Sequence, residues 1–261
     1  DRIDVRDLGI FPNIEYSNAQ LAVLTANENV KLYFPQDTFI FRNWQIIDKD
    51  NVDIEFDNTI IALPPGVSID VSDTTGVDGF ELPQISIVNV KKINISGKLL
   101  VDHSINSPSF IKPVSGEAAG NIIIVAGVDF ANYGDVYISG ITTKESYFVP
   151  LRIQSPQAWI HYDSLSWKNI TIRDIHSDLS ASLLLARVVT NNLKVIDCTM
   201  EIDRNKSIFG PSDETKALAI TLDVASEAKV NVLINNLYSK YGGSGFFQNI
   251  QNVQIQNSVS D

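Results

Sequence analysis

The chain of 261 residues is short of cysteine and of basic residues, and it contains no long apolar run. Its one cysteine, Cys198, excludes an internal disulfide framework and a zinc site built from several cysteines. The 20 Lys and Arg residues face 31 Asp and Glu, a net charge of −11. Phosphate binding needs clustered positive charge, so we predict no nucleic-acid partner. Without an apolar run of about 18 residues, we also predict no membrane span.

The chain does contain a recurring motif, in which two apolar residues alternate with other residues before an Asn, Asp or Gly. The alternation is typical of a β-strand, and the closing residue types tolerate a positive φ. We therefore predict that each motif is a strand ending at a sharp corner. The closing positions are 21 to 43 residues apart, and the shortest separations, 21 and 23, indicate the period. These predicted corner residues are Asn58, Gly97, Gly140, Asp174, Asp197, Asn236 and Asn257.

A period in the low twenties that is mostly strand favours a β-solenoid. The Leu-x-x-Leu-x-Leu pattern of leucine-rich repeats is absent, and a β-propeller blade would need a longer repeat, of about 40 residues. Within 182–204, the segments "LLLARV", "LKVI" and "TMEI" are predicted strands, separated by breaks at 190–192 and at Asp197. The predicted fold is all-β, a right-handed, single-stranded parallel β-helix with a short N-terminal capping helix.

The chain divides into a capping segment, 1–41, and a β-helix, 42–261. A short helix after an N-cap at Ser17 or Asn18 and a first strand within 30–41 are predicted in the capping segment. Because the chain stops within a coil pattern, we expect the solenoid to continue beyond Asp261 or to be covered by another chain. Four loops are predicted to interrupt the β-helix, at 63–83, 102–120, 155–167 and 203–216.

Two segments near the N-terminus carry a family resemblance. "IDVRDLGI" and "VKLYFPQDTFIF" resemble the opening of pectate-lyase-like β-helix proteins, and among these the chain most resembles bacteriophage tailspikes. The resemblance implies a homotrimer at the virion tail, or otherwise extracellular, that binds a bacterial capsule or O-antigen and depolymerises it without a cofactor. The matching residues are Asp4, Val5, Asp7 and Gly9, then Phe34, Pro35, Thr38 and Phe39.

The catalytic motifs of related enzymes are missing. The chain has neither the Asp-Asp pair nor the G-H-G of polygalacturonases, and only "RIQ" at 152–154 stands where R-I-K would be expected. No calcium-dependent lyase pattern is present either. Asp70, Asp73 and Asp78 share one loop, but calcium needs six to eight oxygen ligands in a defined geometry. We therefore predict a solvated acidic loop and no metal site.

The loops suggest where a ligand would lie. Those at 63–83, 102–120 and 203–216 begin five or six residues after a corner residue, so they should project along one flank. The coils of Gly140 and Asp174 lack such a loop, which predicts a concave floor between walls. Glu145 lies five residues after Gly140, the offset at which the wall loops begin, and therefore falls in this gap. His103, at the start of a wall loop, is expected to be a loop residue.

The loop 155–167, "SPQAWIHYDSLSW", concentrates aromatic residues around one carboxylate, a composition that suits sugar binding. The alternative is that Trp159 and Ile160 only pin the loop to the body.

Strand alternation points Arg173 and His176 outward. Cys198 occupies the position that Ile141, Ile175 and Leu237 have in other coils, so it is a predicted core residue. Our candidate catalytic residues are Asp163 and Glu145, and our candidate substrate-binding residues are Trp159, His161, Tyr162, Trp167, Arg173 and His176.

Three functions stay open at this point. Glycoside hydrolysis needs two carboxyl groups, for which Asp178, Glu201 and Asp203 are further candidates. Lyase chemistry needs a base near a uronic acid, and Lys144 could help there. A non-enzymatic glycan-binding virion appendage or adhesin is the alternative to both, and a secreted pectinase-like enzyme is disfavoured by the missing motifs. The net negative charge favours neutral or weakly acidic glycans.

Overall fold

The computed structural model describes residues 1–65, 83–105, 120–126, 133–146, 149–154, 167–178, 183–188, 190–201, 218–223, 230–240, 243–248, 250 and 252–260. All of the strands described pair in parallel within one continuous sheet. The fold is therefore an all-β parallel solenoid, as predicted. No helix in these ranges is long and apolar enough to cross a membrane. The first elements are β1 (Ile3–Asp4), β2 (Glu15–Tyr16), α1 (Asn18–Leu21), β3 (Asn29–Phe34) and β4 (Thr38–Phe41).

Each turn of the chain crosses three stacks of strands, which we call faces A, B and C. The longest strands bend at corners and contribute to two or three faces, so that β5 runs through C, A and B in that order. The remaining strands are β5 (Trp44–Ala62), β6 (Ile85–Asp102), β7 (Gly120–Val125), β8 (Asp135–Lys144), β9 (Val149–Gln154), β10 (Asn169–Ser177), β11 (Leu184–Arg187), β12 (Asn192–Glu201), β13 (Leu218–Asp223), β14 (Asn231–Lys240), β15 (Gly243–Gln248), β16 (Asn252–Gln256) and β17 (Val259–Ser260).

Face A consists of β3, the middle of β5 and β6, the first halves of β8, β10, β12 and β14, and β16. Face B consists of β4, the last segments of β5 and β6, the second halves of β8, β10, β12 and β14, and β17. Face C consists of the first segments of β5 and β6, followed by β7, β9, β11, β13 and β15.

The seven predicted corner residues all turn the chain from face A to face B with a positive φ. Their φ angles range from 49° at Asn58 and Asn257 to 97° at Gly97. This left-handed region is open to Gly and is reached by Asn and Asp at small cost, whereas most other side chains are strained there. The corner prediction is confirmed at every site.

The corner shortens over the first three coils. Four residues separate Ile54 from Thr59, three separate Ile95 from Leu99, and two separate Ile138 from Ile141. Because each corner is longer than the one on the next coil, its backbone lies directly against the glycine of that next corner. A Cβ on Gly97 would lie 2.0 Å from the Phe56 carbonyl oxygen, and one on Gly140 would lie 1.7 Å from the Gly97 carbonyl oxygen. Glycine is thus required at both positions by close approach as well as by φ.

Aliphatic and aromatic side chains in register fill the interior. Cys198 is 1% exposed and pairs with Leu237 in the next coil, so its predicted core role is confirmed. Burial raises the pKa of its thiol to about 12, which keeps it protonated and inert. At the N-terminus, Ser17 caps α1 in a capping box with Gln20, and Leu21 is fully buried in the core.

A ladder of side-chain amides follows the start of face A. The Asn169 amide donates to Asp135 and the Asn192 amide to Asn169, each at 2.8 Å. The Asn231 amide donates to Asn192 at 3.3 Å, and that of Asn252 to Asn231 at 3.0 Å. Since a slip by one residue would break all of these bonds and turn the core side chains outward, the ladder helps to fix the register.

Candidate functional site

The roots of the three wall loops lie in one row at the end of face B. Ala62 pairs with Asp102, and Asp102 with Lys144. The pairings of Ser177 place Asp178 and Glu201 in the same row on later coils. Loops follow Ala62, Asp102 and Glu201, whereas face C resumes soon after Lys144 and Asp178, at Val149 and Leu184. The wall loops themselves lie largely outside the described residues.

Glu145 occupies this gap with an unusual backbone. Its φ is 51°, and every other non-glycine residue of positive φ in the described ranges is Asn or Asp. The short side chains of Asn and Asp can hydrogen-bond locally in the left-handed region, whereas the longer side chain of Glu lacks that stabilisation. Holding such a residue there costs about 1–3 kcal/mol of conformational free energy. Strain of this kind persists only where the surroundings impose it, and it concentrates at functional sites.

Asp178 on the next coil helps to impose that backbone. Both of its carboxylate oxygens accept from the Glu145 backbone N–H, at 3.1 Å each. Beside them, the Lys144 ammonium lies 3.3 Å from the Asp102 carboxylate, which also accepts from the Ser104 hydroxyl. The structure thus brings Glu145 and Asp178 together in the predicted floor. We call Glu145, Asp178, Lys144 and Asp102 the acidic corner.

A groove of about 380 Å³ crosses the same face at its other edge. It lies beside the shortening corner, where Asn58 and Lys98 form the protruding side. Ile60, Leu100 and Thr142, which are in register on neighbouring coils, form its floor, and Gly140 and Asp174 also line it. We call this the face B groove. Because Thr142 and Lys144 alternate outward on one strand, the groove and the acidic corner share one continuous surface.

His176 and Asp174 form a pair at the edge of this groove. His176 Nε2 lies 2.9 Å from Asp174 Oδ1, and both side chains are solvent-accessible, at 40% and 54%. His176 is in register with Thr142 on one side and Thr199 on the other. The outward orientation predicted for it and for Arg173 is therefore correct. Arg173 forms an ion pair with Asp197 at 2.9 Å. The hydrogen bond from Asn236, and to a lesser extent Arg173, holds the pKa of Asp197 below its usual value.

A larger groove of about 500 Å³ lies elsewhere, on face A along the amide ladder. Among its lining residues Lys194 is the only ionisable one, and no acid or base pair accompanies it. Size alone therefore does not mark it as a site of chemistry. Within the described ranges no three His, Cys, Asp or Glu side chains form a group that could hold a metal ion. The predicted acidic loop with Asp70, Asp73 and Asp78 falls outside those ranges.

The aromatic loop falls largely outside the described residues as well. This applies to four predicted site residues, Trp159, His161, Tyr162 and Asp163. Among the predicted carboxylates, the described residues place Asp178 beside Glu145.

Trp167, predicted to bind substrate, is a core residue instead. Its side chain is fully buried, and its indole N–H donates to the Val90 carbonyl at 3.0 Å. Its ring packs edge-on against Tyr133, with 5.6 Å between centroids. A buried ring cannot stack on a sugar, so the prediction was wrong. The prediction rested on the aromatic composition of the loop, and composition does not show whether a tryptophan at the end of a loop faces solvent or the core.

The Trp167→Phe variant should separate these two roles. We expect the free energy of unfolding to fall by about 2 kcal/mol, because the buried Val90 carbonyl loses its donor while the ring contact to Tyr133 persists. Glycan affinity should be unchanged. Denaturant unfolding and a binding titration check both expectations. A loss of affinity at unchanged stability would instead restore the ligand-binding role.

His103 lies in the turn after β6, as expected of a loop residue, but its side chain is buried. It is 3% exposed, and its Nε2 lies 2.8 Å from Nε2 of buried Gln84. Burial lowers the pKa of His103 to about 4, against an opposing effect of the Asp102 charge. Next to it, buried Asn121 and Ser146 exchange hydrogen bonds beneath the acidic corner. No sequence pattern distinguished these buried polar residues from polar residues of exposed loops.

Comparison with known proteins supports the fold. No protein-family profile matches the sequence, and no curated protein matches it. Among solved structures, the chain is similar to a protein from Parabacteroides merdae that bears the provisional name of glycosyl hydrolase. The TM-score is 0.52 at 15% sequence identity, over 99% of this chain and 97% of the other. At that identity the similarity establishes a shared architecture.

Proposed function

We propose that this protein binds a bacterial surface polysaccharide along face B and depolymerises it, in the manner of a bacteriophage tailspike. The observation that carries the proposal is the strained backbone of Glu145, held by Asp178 in the gap between the wall-loop roots. The similarity to a protein named as a glycosyl hydrolase and the resemblance of the N-terminal segments both support a carbohydrate-active enzyme.

Hydrolysis is the reaction that the acidic corner suits best. Glycosidases use two carboxyl groups on either side of the scissile bond, separated by about 5–5.5 Å in retaining enzymes and about 6.5–9.5 Å in inverting ones. Glu145 and Asp178 lie on neighbouring coils, whose strands are about 4.8 Å apart. We assign them as this pair. The face B groove, on the same surface, would hold the sugars on one side of the bond.

Glu145→Gln and Asp178→Asn should each reduce depolymerisation by about 10²–10⁴-fold, because each removes one carboxyl group while keeping its shape. Release of reducing ends from a panel of capsules and O-antigens measures the activity, and absorbance at about 232 nm detects a lyase product instead. Glu15→Gln, at the exposed position of β2, is the matched control and should be neutral. Glu145→Gly should be inactive yet more stable by about 1 kcal/mol, because glycine relieves the strain.

The second candidate function is a virion appendage that binds its glycan without cleaving it. The accessible groove favours this function as much as it favours depolymerisation. In that case the wild type binds a glycan and releases no ends from it, and Glu145→Gln leaves the biological activity intact. Cleavage of any bound glycan that depends on Glu145 excludes this candidate. The homotrimer and the virion or extracellular location, which the resemblance implies, are part of the proposal, and the solution mass tests the first of them.

A further inference from the structure

We propose that the face B groove is a second catalytic site, one that removes O-acetyl groups from the bound glycan with His176 as its base. The proposal rests on the proposed function only in supplying the glycan that carries the ester. Three groups at one groove suggest it: an oriented histidine, a cation and an aliphatic floor. None of them belongs to the acidic corner.

The base is His176, oriented by Asp174. One ring nitrogen, Nε2, is engaged with the Asp174 carboxylate at 2.9 Å, which leaves Nδ1 to act on a water molecule. A histidine held by a carboxylate in this way keeps one tautomer and one ring orientation. Both in-register neighbours of His176 are threonines, Thr142 and Thr199, so small side chains flank the ring.

Asp174 does more than its corner position requires. The same row is occupied by asparagine at Asn58, Asn236 and Asn257, so the backbone does not need a carboxylate. Asp197, the other aspartate of the row, is engaged with Arg173 and Asn236. Among the described corners, Asp174 alone directs its carboxylate to a histidine.

The groove also provides for the two ends of an acetyl group. Ile60 and Leu100 form an aliphatic floor that suits a methyl group, and Lys98 lines the same groove with an ammonium that can stabilise an oxyanion. A uronic acid, the substrate of an elimination, has no apolar group of this kind to place on that floor. The far end of the same face is acidic as well, with Asp178, Glu145 and Glu201 along it, which disfavours a polyanion.

The reaction balances with water as the only co-reactant. His176 Nδ1 takes a proton from water as the water oxygen bonds to the acetyl carbonyl carbon, and the carbonyl π electrons move to the oxygen facing Lys98. When this tetrahedral intermediate collapses, the bond from the carbon to the sugar oxygen breaks, and the imidazolium returns its proton to that oxygen. The products are a free sugar hydroxyl and acetic acid, which releases its remaining proton to water to give acetate.

The test uses the whole chain with 4-methylumbelliferyl acetate, and then acetylated xylan with acetate release as the readout. His176→Gln should lower kcat/KM by about 10²-fold, and Lys98→Met by a similar factor. Asp174→Asn should lower kcat at unchanged KM, and imidazole added to His176→Gly should restore part of the rate. Rescue by imidazole is not expected if His176 is only structural.

Matched controls separate this site from the acidic corner. Asp197→Asn, in the same corner row one coil away, should keep full ester hydrolysis. Glu15→Gln, on β2, should also keep it. Ester hydrolysis and depolymerisation are measured on separate substrates, so the two proposals can fail separately. Ester hydrolysis no faster than in His176→Gln overturns the proposal. So does a product absorbing at about 232 nm that depends on His176, which would mean elimination from a uronic acid.

Discussion

Gly140→Ala is expected to destabilise the solenoid by about 4 kcal/mol. Two costs combine: an alanine at a φ of 75° is strained, and its Cβ would lie 1.7 Å from the Gly97 carbonyl oxygen. Backbone strain contributes about 1–3 kcal/mol, and overpacking contributes a similar amount. The obstacle is backbone of the preceding coil, which cannot rotate away as a side chain would. Denaturant unfolding followed by circular dichroism measures the change.

Gly9→Ala is the matched control for this prediction. Gly9 has a comparable φ of 84°, but no atom lies within 4 Å of the position its Cβ would take. Only the strain applies there, and the expected loss is about 1–2 kcal/mol. Equal losses in the two variants would contradict the claim that the shortening corner presses on Gly140.

His103 is expected to make the protein lose about 2–3 kcal/mol of stability between pH 7.5 and pH 4.5. Its pKa is about 4 in the folded chain, against about 6.5 when unfolded, so the unfolded state binds more protons in this window. The contribution of neutral His103 is therefore complete above about pH 6.5 and declines as the pH falls towards 4. Protonation would also set two N–H donors, from Gln84 and from the ring, against each other.

The His103→Gln variant isolates this contribution. We expect it to lose less stability than the wild type over the same pH interval, by about 2–3 kcal/mol, whatever its stability at pH 7.5. Urea unfolding at both pH values measures this. An identical pH dependence of His103→Gln and the wild type would show that acid sensitivity arises from other groups.

The fold was predictable because the solenoid repeats its requirements. Alternating apolar residues and a closing Asn, Asp or Gly appear once per coil, so the seven corners could be read from the letters alone. The change in corner length was not readable. It depends on how many residues lie between paired positions of neighbouring coils, and Lys98 enters the groove because of that change. Why Gly97 and Gly140 must be glycine became clear only from the stacked backbones.

The candidate site was predictable in part for a related reason. The phase of Glu145 followed from the repeat, and the outward orientation of His176 followed from strand alternation. Partners across coils did not follow, because Asp178 approaches the Glu145 backbone from a neighbouring coil, more than thirty residues away in sequence. The burial of Trp167 and of His103 was missed for want of tertiary context, since burial at a loop root leaves no periodic signal.

The amide ladder on face A has a collective property beyond holding strands in register. A carboxylate accepts hydrogen bonds but cannot donate them, so Asp135 obliges Asn169 to present its N–H. That choice leaves the Asn169 oxygen for Asn192, and the same orientation passes on to Asn231 and Asn252. One aspartate thus sets the polarity of four amides over four successive coils. With asparagine at position 135 the whole row could reverse at once, so a single oxygen atom decides which way the ladder points.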